Sequence, residues 1–189
     1  CGNILSIKRG LEKIGLDSKI SDDENIILDS SHLILPGVGA FGNAMSLLKR
    51  KNLQKIILKY TNEHQKPILG ICLGMQLLFE NSTEEKFSEG LSVIKGTVRP
   101  LSAEHNFKVP NIGWKKISFN KKSTLLQDVE DPIFYFVHKF ACYSSESLIC
   151  SKFLHSSKFD CLIEKGNIFA TQFHPEKSQI VGHKLLKNF

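Results

Sequence analysis

The segment Leu69-Gly70-Ile71-Cys72-Leu73-Gly74-Met75-Gln76 places a thiol between two glycines, where a short apolar run passes into helix-forming residues. A sharp strand-to-helix turn of this kind strains the backbone of its central residue and holds that side chain above the sheet edge. Small neighbours at Gly70 and Gly74 leave room for it. A helix beginning at Leu73 would add a dipole that favours a thiolate, and the Leu73 amide aimed at the place where an oxyanion forms. A free cysteine is more often a small buried apolar residue, and this segment alone leaves both readings open. A second segment shifts the balance. Gln172-Phe173-His174-Pro175-Glu176-Lys177 follows another apolar run about a hundred residues downstream. A thiol nucleophile needs an imidazole to hold or accept its proton, and the imidazole needs a carboxylate on its other nitrogen to fix tautomer and orientation. His174 and Glu176 are of the types that fill those roles, and Pro175 between them restricts the turn that presents both.

A third segment, Leu35-Pro36-Gly37-Val38-Gly39-Ala40-Phe41, also follows an apolar run, and its glycines permit peptide orientations that other residues avoid. It meets neither the dinucleotide-binding nor the phosphate-loop spacing. Alone it reads as an ordinary glycine-rich loop. Beside Cys72 and His174, its amides become candidates for completing an oxyanion hole.

The elements between these segments must bring them together. Ile4, Ile7, Leu11 and Ile14 recur at helical spacing and stop at Gly15, which predicts an amphipathic first helix. An acidic turn over Ser21-Asp22-Asp23-Glu24 leads to a short buried strand at His32-Leu33-Ile34-Leu35, closed by Pro36-Gly37. A second helix is predicted from about Ala44 to Tyr60, then a strand over Pro67–Ile71 that runs directly into a helix from Leu73 to Phe79. Alternating strands and helices build a parallel sheet covered by helices, so the first half reads as α/β. The second half is richer in strands. They are predicted at Leu91–Ile94, Lys116–Phe119, Ile133–His138, Cys161–Glu164 and Ile168–Gln172, before a last helix from about Ser178 to Lys187. No repeat, low-complexity tract or linker is evident, and 189 residues suit one domain spanning 1–189.

Composition narrows the function classes. With 41% apolar and 23% charged residues the chain is neither a disordered polymer nor a membrane protein, and its apolar runs are too short to span a bilayer. Lys and Arg outnumber Asp and Glu by 25 to 19, but they are scattered in ones and twos rather than gathered into a phosphate-tracking stripe, which argues against nucleic acid. The cysteines at 1, 72, 142, 150 and 161 include no C-x-x-C pair, and no secretory signal stands ahead of them. This argues against a disulfide framework or zinc ribbon and for a cytoplasmic location. No metal-ligand cluster is evident in the sequence.

Taken together, the segments resemble the class I glutamine amidotransferases over nearly the whole chain. The resemblance rests on Pro36-Gly37-Val38-Gly39-Ala40-Phe41, on Gly70 through Glu80, on Gly113-Trp114, on Tyr135-Phe136-Val137-His138 and on Phe173-His174-Pro175-Glu176-Lys177-Ser178. It implies a flavodoxin-like α/β fold: a mostly parallel sheet flanked by helices, with extra strands in the second half. It also implies hydrolysis of L-glutamine to glutamate. Cys72 would attack the amide, His174 would carry the proton to the departing ammonia, Glu176 would orient His174, and water would then cleave a glutamyl thioester. The oxyanion donors would be the Leu73 amide and a peptide near Val38 and Gly39, which in the family can need to rotate before it donates. A donor that faces away forfeits about 3 kcal/mol of transition-state stabilisation. Gln76, Glu84 and the backbone near Lys139 and Phe140 match positions that hold the glutamine. Asn3, Tyr135 and Lys177 match positions lying against a separate barrel-shaped synthase (cyclase) subunit, which receives the ammonia through a tunnel in a heterodimer. No metal, nucleotide or flavin cofactor is implied for this subunit.

The chain also departs from the family. Members open with a short strand and an Asp-Tyr-Gly segment before the position of Gly2, so the resemblance implies a strand preceding Cys1. Val137-His138 is followed by Lys139-Phe140 where histidine-pathway members have Ser-Tyr or Thr-Tyr, and Gly113-Trp114 by Lys115 where Asn is common. Binding through backbone groups survives such changes. Two acceptors for the ammonia therefore stand: a cyclase of histidine biosynthesis, or an amidine-forming enzyme of surface-sugar biosynthesis served by a paralogue. Two readings of other classes are a non-catalytic subunit that keeps the fold and a cysteine peptidase on a similar scaffold. The presence of all three catalytic residue types argues against the first, and the glutamine-site residues against the second.

Overall fold

The computed structural model of the chain describes residues 2–84, 86–104, 107–118, 123–146 and 148–189, the side chains of Asn3, Ile149, Cys150 and Lys152 excepted. Helix α1 (Gly2–Lys13) buries Ile7 and Leu11, and the chain leaves it through Gly15 at φ 79°. Helix α2 (Glu24–Asp29) begins at the last residue of the acidic turn and covers a stretch for which the sequence predicts no element. Asp23 caps it by accepting from the Ile26 amide at 3.1 Å, and Ile27 packs with Ile56 and Tyr60. So short a stretch carries no helical period, which hides it.

Strand β1 (Leu33–Leu35) leads through the glycine loop to α3 (Phe41–Arg50), then α4 (Leu53–Leu58) and a π turn over Lys59–Glu63. The single helix predicted from Ala44 to Tyr60 is therefore broken. Asn52 breaks it at φ 57°, a left-handed conformation that Asn tolerates better than most residues. The bend keeps Ile57 in the cluster that holds Leu48, while Ile56 turns to Tyr60. Strand β2 (Ile68–Ile71), buried along its length, runs into α5 (Leu73–Leu77). This helix stops short of the predicted Phe79 because its last carbonyls are claimed from outside. The Leu91 amide donates to the Leu77 carbonyl at 2.8 Å, and those of Val93 and Ile94 to the Leu78 carbonyl at 2.9 Å.

Phe79 instead opens β3 (Phe79–Ser82), followed by β4 (Ser88–Glu89), β5 (Ile94–Pro100), β6 (Asn111–Lys116), β7 (Ile133–His138), β8 (Phe140–Ser144), β9 (Ile149–Leu154), β10 (Lys158–Lys165) and β11 (Ile168–Thr171). A 3-10 turn at Pro175–Lys177 and α6 (Gln179–Asn188) complete the order. The predicted Ile133–His138 coincides with β7, and those at Cys161–Glu164 and Ile168–Gln172 fall on β10 and β11. Leu91–Ile94 and Lys116–Phe119 are displaced, meeting β5 and β6 only at Ile94 and Lys116, and Phe119 lies outside the described residues.

The main sheet runs β1-β2-β11-β10-β8-β5-β3-β4, with β9 also paired to β10. β1, β2 and β11 are parallel, as are β3 and β5, and the other ladders are antiparallel. The α/β class holds, but the sheet is mixed rather than mostly parallel. Short connections in the second half, such as Gly166-Asn167 between β10 and β11, permit only antiparallel return. Leu69 and Ile71 of β2 pack toward α1 and α6 with Ile7, Leu11, Leu185 and Leu186, while Ile68 packs toward α3 with Phe41 and Met45. Helices thus cover both faces. β6 and β7 form a separate ribbon. Among the described residues no helix is long and apolar enough to cross a membrane.

Candidate active site

Leu35 pairs with Gly70 and Ile71 with Thr171, so the three parallel strands β1, β2 and β11 end at one edge of the sheet, where the loops of such a sheet gather a site. Cys72 stands at that edge with φ 55° and ψ −109°, its amide donating to the Thr171 carbonyl at 2.7 Å. A non-glycine residue in such a conformation costs about 1–3 kcal/mol. The flanking glycines are there because backbone packs on backbone. A Cβ on Gly70 would meet the Gly74 carbonyl oxygen at 2.8 Å, one on Gly37 would meet Leu73 Cβ at 2.8 Å, and one on Gly74 would overlap the Leu35 carbonyl oxygen. The α5 start is thereby pressed against both β1 and the glycine loop. With only five residues, α5 has a small dipole, and what it offers the site is chiefly the Leu73 amide.

His174 follows β11 in extended conformation and is held from three sides. Its amide donates to the Tyr135 carbonyl at 2.9 Å, its carbonyl accepts from Ser178 Oγ at 2.6 Å, and Ser178 Oγ accepts from the Tyr135 amide at 3.0 Å. Phe173 stacks on Phe134 with ring centroids 4.0 Å apart. The 3-10 turn beginning at Pro175 folds Glu176 back so that its Oε1 lies 2.8 Å from His174 Nδ1, both side chains being buried. That leaves Nε2 for Cys72. Burial opposes a charge on His174, but hydrogen bonds with Cys72 and Glu176 outweigh it and raise the imidazole to about 9. The arrangement can therefore carry a proton at neutral pH and release it beside the sulfur.

Cys72 and His174 open on a cavity of about 570 Å³ whose walls include Val38, Gly39, Leu73, Gln76, Glu84, Lys139 and Phe140, all of them marked in the sequence. Glu84 has a second task, since its Oε2 accepts the Phe41 amide at the start of α3 at 2.8 Å. Gln76 does not face the cavity freely: its Nε2 donates to the Phe140 carbonyl at 3.0 Å. The same carbonyl accepts from His138 Nδ1 at 2.8 Å, which makes Nε2 the acceptor for Asn111 Nδ2 at 2.9 Å. Burial pushes His138 down to about 4, so this neutral tautomer persists at working pH. The peptide at Phe140 is thus fixed by two buried side chains whatever residues stand at 139 and 140.

The class I glutamine amidotransferase family model ("Glutamine amidotransferase class-I") matches residues 1–189. The chain belongs to the class I glutamine amidotransferases. It is 42% identical over 188 residues to imidazole glycerol phosphate synthase subunit HisH of Listeria monocytogenes serotype 4b (strain F2365), with 100% of this chain and 90% of the relative covered. The namesake from Geobacillus sp. (strain WCH70) is 39% identical over 193 residues, covering 100% and 91%. Among solved structures, a glutamine amidotransferase superposes with TM-score 0.74 at 16% identity over 98% of this chain and 91% of that one. The glutaminase domain of Trypanosoma brucei CTPS with bound acivicin gives 0.64 at 15% identity over 97% and 85%. Both share the fold.

Of the residues matched to a partner face in this amidotransferase, Lys177 is among those lining the cavity. It sits 5.9 Å from the ring of Tyr135, which meets Trp114 edge-on at 5.8 Å. Asn3 is in α1, its side chain outside the described ones. The sequence reading missed Ser6, Pro110, Val137 and His138 as cavity walls, and Gln172, whose Nε2 is 3.8 Å from the Cys72 sulfur. A signal for His138 exists: it continues the inward positions of Phe134 and Phe136 along β7, where a polar residue needs partners.

Proposed function

We propose that this amidotransferase, acting as one domain, is the glutaminase subunit of imidazole glycerol phosphate synthase, hydrolysing L-glutamine and passing ammonia to a barrel-shaped cyclase subunit in a heterodimer. The observation that supports it most is the Cys72, His174 and Glu176 array opening on a cavity that Glu84 and the pinned Phe140 peptide share. Cys72 attacks the side-chain amide carbon, and the Leu73 amide with the Val38–Gly39 peptide receives the oxyanion. Gly39, at φ 102°, lets that peptide take orientations closed to other residues. His174 gives its proton to the leaving ammonia. It then takes one from the water that cleaves the thioester, and glutamate departs as the sulfur is released. Glu84 suits the substrate ammonium and the Lys139–Phe140 backbone its carboxylate. The buried, unbridged thiols of Cys72 and Cys142 suit the cytoplasm.

Because ammonia leaves with the His174 proton, kcat/KM for glutamine is expected to fall as pH rises through about 9, the value to which Cys72 and Glu176 hold that imidazole. Glu176→Gln removes one support and shifts this falling limb to lower pH, as a pH–rate profile would record. The same raised value stabilises the fold below its ordinary 6.5, a contribution lost as pH climbs through about 9.

Free ammonia is mostly protonated near neutral pH, so a docked acceptor protects it. Ile112 and Trp114, 51% and 47% exposed, continue the row through Tyr135 and Lys177 to the cavity rim, where Val38 is 60% exposed. Large exposed apolar residues beside a cationic rim suit a protein partner. Glutamine hydrolysis is expected to be weak alone and strongly stimulated by the cognate histidine-pathway cyclase with its nucleotide ligand. No stimulation, from a cyclase active on free ammonia, would move the assignment to the amidine-forming partner.

A further inference from the structure

We propose that Gln172 is a positioning residue for the nucleophile, donating a hydrogen bond to the Cys72 sulfur and tying it to the peptide at the substrate cavity. This rests on the glutaminase reading above. Gln172 is 0% exposed, at the end of β11, two residues before His174. Its orientation follows from a chain of obligatory partners. The Phe140 carbonyl can only accept, so Gln76 must turn its NH2 group toward it, at 3.0 Å. The second hydrogen of that NH2 reaches the Gln172 Oε1 at 3.2 Å. Oε1 also accepts from Cys142, 3.8 Å away, whose thiol is pushed well up by burial with Asp160 and Cys72 beside it and so keeps its hydrogen. Two donors on one oxygen leave the Gln172 NH2 group facing the Cys72 sulfur at 3.8 Å. Flipping the amide would set NH2 against NH2.

A donor on a sulfur that becomes anionic is worth more than one on a neutral thiol, so Gln172 favours the attacking form and holds it in line. The step needs no further reactant. A structural filler at this position would affect stability alone, whereas a sulfur donor affects how readily the thiol reacts. The test is alkylation of Cys72 by iodoacetamide across a pH series, read by mass spectrometry on the whole chain digested afterwards. Gln172→Met keeps the length and removes the amide; Gln172→Glu keeps the acceptor for Gln76 and Cys142 and removes the donor, so one serves if the other does not fold. Expected are an approximately tenfold slower alkylation at neutral pH, a rise displaced to higher pH, and a loss in kcat larger than the change in KM. Alkylation profiles superimposable on that of the parent, in a variant that unfolds at the same temperature, overturn the proposal. Alkylation requires no glutamine. A parent complex that fails to hydrolyse glutamine therefore overturns the glutaminase reading by a separate measurement.

Discussion

Cys72→Ala lowers glutamine turnover in the assembled complex by about 10⁴-fold or more, while glutamine still binds. The expected effect is this large because no other described residue lining the cavity carries a thiol. Cys142 and Cys161 are buried, and Cys142 gives its hydrogen to Gln172. The cavity walls at Gln76, Glu84 and Phe140 do not depend on the sulfur, so binding and chemistry separate. Alanine also keeps the φ of 55° strained, so the unfolding temperature changes little and lost activity is not lost fold. Glutamate release and calorimetric binding of glutamine measure the two halves. Product formation that survives in Cys72→Ala would remove Cys72 from the mechanism.

The largest expected loss of stability comes from Gly74→Ala. Its Cβ would overlap the Leu35 carbonyl oxygen and lie 3.4 Å from the Pro36 carbonyl carbon. Both are backbone atoms, and Leu35 is locked in register beside Gly70. No side chain can swing aside; either α5 lifts from β1 or the strand pairing yields. A loss of about 3 kcal/mol or more is expected, read as a lower urea midpoint at unchanged slope. Gly15→Ala is the comparison. It has φ 79° but open space around its Cβ, so it costs only about 1 kcal/mol. Equal effects at the two positions would contradict the packing argument.

The candidate site was more legible than the frame, in that its marked residues come together at one cavity. Cys72, His174 and Glu176 declare themselves through glycines and a proline whose local geometry is short-range, and the substrate candidates follow from resemblance. What resisted reading depends on distant contacts. The end of α5 is set by Leu91, Val93 and Ile94, and the bond of Gln172 to sulfur by Gln76 and Phe140, none near in sequence. The break at Asn52 is the opposite case, a local left-handed residue inside a pattern whose apolar content looks continuous. Strand positions in the second half slipped where glycine and lysine interrupt alternation, as at Gly113 and Lys115, and held where Phe134, Phe136 and His138 keep it.

The positive φ at Cys72 also bears on descent. Glycine occupies that conformation without strain, and a cysteine codon becomes a glycine codon by one base change. A lineage relieved of the reaction would thus gain about 1 kcal/mol by the easiest of mutations, and the elbow would decay toward glycine early. Cysteine at this position is therefore held at a cost in backbone strain that glycine would not carry.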